Sequence, residues 1–217
     1  MQMKKSILVA IAALLIFAVA GFGGETSPSL YVGGGISLPM GPQWFKDEHN
    51  MGFNFSGGVG FKVGQFFEII GRGGFHSFPI DKEVIKAELE AYMGEDLTGV
   101  SISGGSLQSL EFGADLKVLL VSSQSTSSIR PYVIAGLGMA NLKYSDFKIT
   151  YQGTSISFAV PGDVTKIALD FGAGFEYMIS PKVGLTFDGR YVLVTTEGES
   201  IKYLPVSVGL KFMLGSD

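Results

Sequence analysis

Cysteine is absent from all 217 residues, which excludes disulfides, thiolate metal sites, a thiol nucleophile and lipid attachment behind a leader. Histidine occurs only twice, at His49 and His76, so few arrangements of general base and nucleophile are available. Basic residues are scarce as well. Setting Lys4 and Lys5 aside, 14 of the 16 Lys and Arg remain against 20 Asp and Glu, a net charge near −6 that argues against nucleic acid as a partner. A long apolar run occurs once, from Ile7 to Ala20. With Lys4 and Lys5 before it and Ala18-Val19-Ala20 at its end, this run reads as a secretory signal peptide over 1–20, with Gly23-Gly24 as an alternative cleavage point. It falls short of the roughly 20 residues of a spanning helix, so an uncleaved anchor is the less favoured alternative. No membrane helix is expected beyond it.

What the chain has in excess is glycine, 31 residues, about twice the usual ~7% share. It also has alternation. Thr165, Ile167, Leu169, Phe171, Ala173, Phe175 and Tyr177 share one parity, and Lys166, Ala168, Asp170, Gly172, Gly174 and Glu176 the other. A strand places successive side chains on opposite faces, so this segment has one greasy face and one charged or glycine face. Ser180-Pro181-Lys182 turns the chain, and Val183 to Leu193 repeats the pattern. On its own this hairpin also suits a soluble sandwich. The remaining chain decides between them.

Six more alternating segments are expected: Tyr31–Leu38, Met51–Val63, one from about Phe67 to Phe75, Leu107–Val121, one from Arg130 to about Lys143, and one from Leu204 to Leu214. A polar loop holding Trp44, Phe45, Asp47, Glu48 and His49 separates the first two. Asp81 to Met93 places Ile85, Leu89 and Tyr92 at helical spacing with Asp81 as a cap, which predicts a short amphipathic helix. Tyr144 to Gly162 is expected to hold a small hairpin around Gln152-Gly153, closed by Pro161-Gly162. The fifth segment alternates least well, because Ile134 and Leu142 fall on the polar parity.

Eight strands whose connections alternate long and short predict an all-β fold: an eight-stranded antiparallel transmembrane β-barrel, an up-and-down meander with short periplasmic turns and long extracellular loops. Closure is needed because an open edge would leave unpaired amides in lipid. A soluble lipocalin-like barrel is the architectural rival, and it would reverse the two faces. The expected boundaries are a signal peptide over 1–20, a short extension over 21–28, the barrel over 29–214 and a tail over 215–217. Placing the apolar parity in lipid sends Glu68, Arg72, Glu111, Asp115, Lys117, Lys166, Asp170, Glu176, Asp188, Arg190 and Lys211 inward. Eight strands enclose only enough room for side chains, so a packed polar interior with water and no wide channel is expected. Inward glycines leave space there for Arg72, Arg190, Tyr31 and Tyr132. Tyr144, Phe147, Tyr177, Tyr191 and Tyr203 are expected to mark the membrane interfaces.

Ser207 to Leu214 looks like a C-terminal sorting signal of bacterial outer-membrane proteins, carried by Gly209, Phe212 and Leu214. Arg130-Pro131-Tyr132 with Gly136 and Gly138, then Phe171-Gly172-Ala173-Gly174-Phe175-Glu176-Tyr177, Ser180-Pro181 and Arg190-Tyr191, resemble the eight-stranded barrel domain of OmpA-like outer-membrane proteins. The resemblance spans about Ser29 to Leu214. It implies the outer membrane of a Gram-negative-type bacterium, contact with its lipids and lipopolysaccharide, and insertion by the assembly machinery after periplasmic chaperoning. No peptidoglycan-binding domain is expected after the barrel, so cell-wall anchoring is not carried over from the resemblance.

No catalytic residue, cofactor or metal is expected. His76 is read as part of the lumen network, since Ser77 faces away from it. Asp47, Glu48 and His49 are read as a solvated loop tip before a cation site. The glycines at Gly33-Gly34-Gly35 and Gly57-Gly58-Gly60 are not phosphate loops, because no helix follows. The favoured function is a structural and surface-interaction barrel binding an extracellular ligand through its loops. A narrow path for small or apolar solutes is the alternative, and a lipid-modifying enzyme resting on His76 stands behind it.

Overall fold

The computed structural model describes residues 28–94, 97–151, 154–160 and 162–214. The expected signal peptide, the extension to residue 27, the Gln152-Gly153 turn, Pro161 and the 215–217 tail lie outside them.

Eight strands close into an antiparallel barrel: β1 (Pro28–Gly41), β2 (Gly52–Val63), β3 (Phe67–Phe78), β5 (Leu107–Leu119), β6 (Ile129–Tyr144), β9 (Asp163–Ser180), β10 (Val183–Val194) and β11 (Ile201–Met213). Neighbours along the barrel sequence pair throughout, and β1 meets β11 to close the ring, with Gly33 opposite Gly209. The links β2–β3, β5–β6 and β9–β10 lie at one end. The longer excursions lie at the other, as the loop lengths predict.

The rest of the chain adds structure on the long-loop side. Here α1 (Gln43–Glu48) replaces the expected irregular first loop, and Phe45 on it is fully buried. Helix α2 (Lys82–Met93) forms where expected, with the Asp81 carboxylate accepting from the backbone N–H of Glu83 and Val84. Strands β4 (Val100–Gly104), β7 (Phe147–Tyr151) and β8 (Thr154–Phe158) form a separate three-stranded sheet in the order β4-β7-β8. The β7–β8 pair is the expected small hairpin; β4 joins it from a stretch whose sequence reads as an irregular loop. β4 pairs with β7 in the register in which β5 pairs with β6, so the barrel wall continues upward on this side.

The outward face of the barrel is apolar and open. Val32, Phe55, Phe112, Leu116, Val133, Leu137, Leu169, Phe171, Val206 and Val208 are all exposed on it. A band of this kind suits lipid and not water. Most charges of the strand centres take the opposite, inward parity, as do glycines such as Gly60, Gly136, Gly172 and Gly174.

Candidate functional site

The interior is built in three layers by residues of one parity. At the short-turn end the Lys211 ammonium donates to Glu68 at 2.8 Å and to Glu176 at 2.9 Å, and Lys117 also pairs with Glu176. Lys117 lies 3.9 Å from the centre of the Tyr132 ring and 5.0 Å from that of Tyr31. Two ammonium groups therefore face two carboxylates, and the Tyr31 and Tyr132 rings add cation–π contacts to Lys117.

In the middle layer two guanidinium groups face four carboxylates. Arg72 donates to Asp115 at 3.2 Å, Glu111 at 3.0 Å and Asp170 at 2.6 Å. Arg190 donates to Asp115 at 2.7 Å, Asp170 at 3.2 Å and Asp188 at 3.0 Å. Arginine suits this role because its planar fork serves several acceptors at once. The surplus acceptors find hydroxyls: Tyr132 donates to Asp188 and Tyr203 to Glu111. Glycine makes the crowding possible. A Cβ on Gly136 would collide with one oxygen of Asp115 and one of Asp170, while one on Gly60 would stand 2.6 Å from Glu68 and 2.8 Å from the Tyr31 ring.

The outer layer departs from expectation. In place of a polar interior with water, Phe45, Phe78, Leu107, Ala140, Leu142, Ala168, Val192, Val194, Ile201 and Tyr203 form a buried apolar cluster. The expected polar parity is apolar at this end of the strands, and α1 lowers Phe45 against Phe78, ring centres 5.0 Å apart, to seal it. Leu142 belongs to this cluster, and Ile134 packs with Ile70, Leu119 and Tyr132 in a second one.

Two sequence expectations need correction. Lys166 has the inward parity but sits at the outer rim, where it pairs with Glu197 of the 195–200 loop at 2.9 Å and stands apart from the two ionic layers. Tyr203 is not an interface marker: it is fully buried, because its parity on β11 is the inward one. Tyr144 likewise packs against the outer cluster, and Phe147 stacks on Phe158 in the outer sheet. Tyr177 is exposed on the outward face. Of the sorting residues, Gly209 and Phe212 lie in β11 and Leu214 follows it, exposed.

His76 has a partner that sequence spacing concealed. Its Nδ1 lies 2.9 Å from Ser37 Oγ and its Nε2 3.4 Å from a Glu111 oxygen, a Ser-His-acid set with the two ring nitrogens exchanged relative to a catalytic triad. Ser37 is 39 positions away and becomes adjacent only through the β1–β2–β3 register. Asn54 also donates to Ser37 Oγ, at 3.1 Å. All three members of the set are buried, and none of them borders the interior cavity. That cavity is about 50 Å³, room for a few waters, and is bounded by Tyr31, Arg72, Lys117, Tyr132 and Arg190.

Above the outer cluster a cleft of about 620 Å³ opens between Trp44, Tyr144, Val160, Asp163, Glu197 and Ile201. His49 is buried nearby among the rings of Trp44, Phe45 and Tyr144, and burial pushes its imidazole down to about 4. Asp47 instead receives two bonds from Gln43, so the Asp47-Glu48-His49 run does not converge; no cluster of three or more His, Cys, Asp or Glu able to hold a metal ion occurs among the described residues. On the rim Lys166 holds the Glu197 carboxyl below its usual range by a direct hydrogen bond.

Two known structures with this architecture are distant from the chain in sequence. Neisserial surface protein A is 12% identical, with 88% of this chain and 99% of that one covered at a TM-score of 0.53. A major outer membrane protein of Thermus thermophilus is 10% identical over 87% of this chain and 99% of that one, with a TM-score of 0.54. No curated protein matches the chain. The family model described as the outer membrane protein beta-barrel domain matches residues 9–213. A closed eight-stranded barrel with a lipid-suited exterior and a match across nearly its whole length make this chain a member of the outer membrane β-barrel domain family, resident in the outer membrane.

Proposed function

We propose that this protein is a closed, non-enzymatic barrel that holds an interaction surface rigidly above the outer membrane. The observation that carries the reading is the layered filling of the lumen, ionic below and apolar above, beneath an ordered outer sheet and helix. Export by the leader at 1–20, chaperoning in the periplasm and insertion by the assembly machinery belong to the same reading, with lipopolysaccharide around the outer rim. The narrow-path alternative loses its motivation, since Ile134 and Leu142 serve as packing. An enzymatic role for His76 finds no support in a Ser37 that is fully buried.

The test is selection of displayed random peptides on the folded chain in nanodiscs. Two trimmed versions serve as comparison, one lacking 82–93 and one with 147–158 replaced by a short turn. All three are expected to keep the shifted gel mobility of a folded barrel, with peptides enriched on the intact chain and lost on at least one trimmed version. Equal enrichment on all three would overturn the reading.

A further inference from the structure

The outer sheet carries two features that lipid contact does not explain. Residues opposite one another in its ladders share a face. Ile102, Ile149 and Ile156 form one such row, and Phe147 and Phe158 continue it, their rings stacked 5.0 Å apart. Ile156 is 58% exposed and Phe158 42%. Polar side chains on the two strands beneath it stand between this patch and the lipid-facing band: Asn141 on β6 donates to Asp163 at 2.6 Å and to Thr165 at 3.0 Å on β9. The patch therefore lies above the hydrocarbon, facing an aqueous or headgroup environment.

The second feature is the edge. β8 is the terminal strand of its sheet, exposed at all five residues, whereas β4 at the other edge lies against α2. Natural edges are blunted by charges, proline or bulges. Thr154-Ser155-Ile156-Ser157-Phe158 has no charge or proline, and its ladder to β7 runs without a shift. β9, the next strand of the chain, is paired by β10 only as far as Val194, so no described strand extends upward from the barrel to cover the edge.

We infer that the free edge of β8 captures an extended segment of a partner protein, adding it as a fourth strand. This rests on the surface-interaction reading above. Water satisfies an exposed row of backbone donors and acceptors, but only another strand matches its spacing along the whole edge. The captured segment would carry apolar side chains at alternate positions, to meet Ile156 and Phe158, and small polar ones between, to lie beside Ser155 and Ser157. A second copy of this chain fits less well. Two barrels in one membrane point the same way, so their β8 strands would run parallel and forgo the antiparallel ladder that β7 makes. A five-residue edge, about 17 Å long, also buries far less than the roughly 800 Å² per partner of a stable dimer.

The probe is a fluorescent peptide with the sequence of Asp146 to Tyr151, which contains the strand that already pairs with β8, titrated by anisotropy against the full folded chain in nanodiscs. A second peptide carries N-methyl groups on alternate amides. The variants are Ile156→Lys and, as a control on a different surface, Tyr92→Lys, whose side chain on α2 is 90% exposed. Both positions are open to water, and folded gel mobility verifies each variant.

The expected result is saturable binding of the plain peptide, none of the methylated one, a loss of at least about tenfold for Ile156→Lys and no change for Tyr92→Lys. Equal binding of the methylated peptide, or no binding up to millimolar concentration, would overturn the proposal. Loss with Tyr92→Lys alone would also overturn it and leave the surface reading standing on another site. Concentration-dependent dimers that Ile156→Lys dissolves would replace the partner segment with a second copy.

Discussion

The middle and the outer end of the lumen are filled with opposite chemistry. Around Arg72 and Arg190 the strands donate charges, each arginine held by several partners; around Phe45 and Tyr203 the same inward parity donates apolar side chains. The difference reflects what each layer must exclude. A charged layer fixes a unique arrangement, because a buried carboxylate without its guanidinium costs several kcal/mol. An apolar layer tolerates exchange but keeps water out by close packing. The ionic layer is therefore intolerant of losing a single charge, whereas the outer cluster packs apolar side chains beneath the α1 lid at the mouth.

Breaking the ionic layer is expected to have the largest effect. Arg72→Met strands Glu111, Asp115 and Asp170 with one arginine between them and should cost about 3–5 kcal/mol in urea unfolding from lipid vesicles; a change near zero would mean that the layer is not held by its pairing. Phe45→Ala, which empties the lid, is expected to cost about 3 kcal/mol by the same assay. The contrast sharpens if Phe45→Leu recovers most of that loss while Arg72→Lys recovers little.

Acidification separates the layers in another way. His49 is held neutral by burial, with its imidazole near 4 against 6.5 in the unfolded chain, so the unfolded state binds the extra proton between those values. The lid's stability is complete above about pH 6.5 and declines as pH falls toward 4, by at most about 3 kcal/mol. Trp44, the single tryptophan, lies with its ring centre 6.0 Å from that of His49 and reports the change by fluorescence. His49→Phe should flatten that profile. Gly136→Ala pushes a methyl group into two carboxylates already tied to arginines and should cost about 1–3 kcal/mol. Smallest of all is Lys166→Met, expected to leave the unfolding midpoint unchanged, since its partner Glu197 is fully in solvent.

Much of this is legible in the chain. Alternation over Thr165 to Leu193 marks the strands and their faces, and the sorting of loop lengths implies closure and orientation. Of the charged residues assigned to the interior, all but Lys166 meet in the two ionic layers; Lys166 does not, because parity sets a direction but not a height along the barrel. The apolar cluster is hidden for a related reason. Val192-Leu193-Val194 and Ile201 to Leu204 are apolar on both parities or nearly so, and alternation is silent where both faces are apolar. The Ser37–His76 contact and the β4–β7 pairing join segments far apart in the chain and depend on register, which no local pattern encodes. Helix α1 is only six residues long, and its one buried anchor, Phe45, sits among polar and charged neighbours.

Single-channel recording tests the central claim most directly. The chain is refolded in detergent, verified as folded by gel mobility and inserted into a planar bilayer. A sealed lumen gives no discrete conductance steps across the range of applied voltage, with steps appearing when Phe45→Ala and Tyr203→Ala are combined. Reproducible steps from the unaltered folded chain would contradict a closed barrel and return the protein to the transport class.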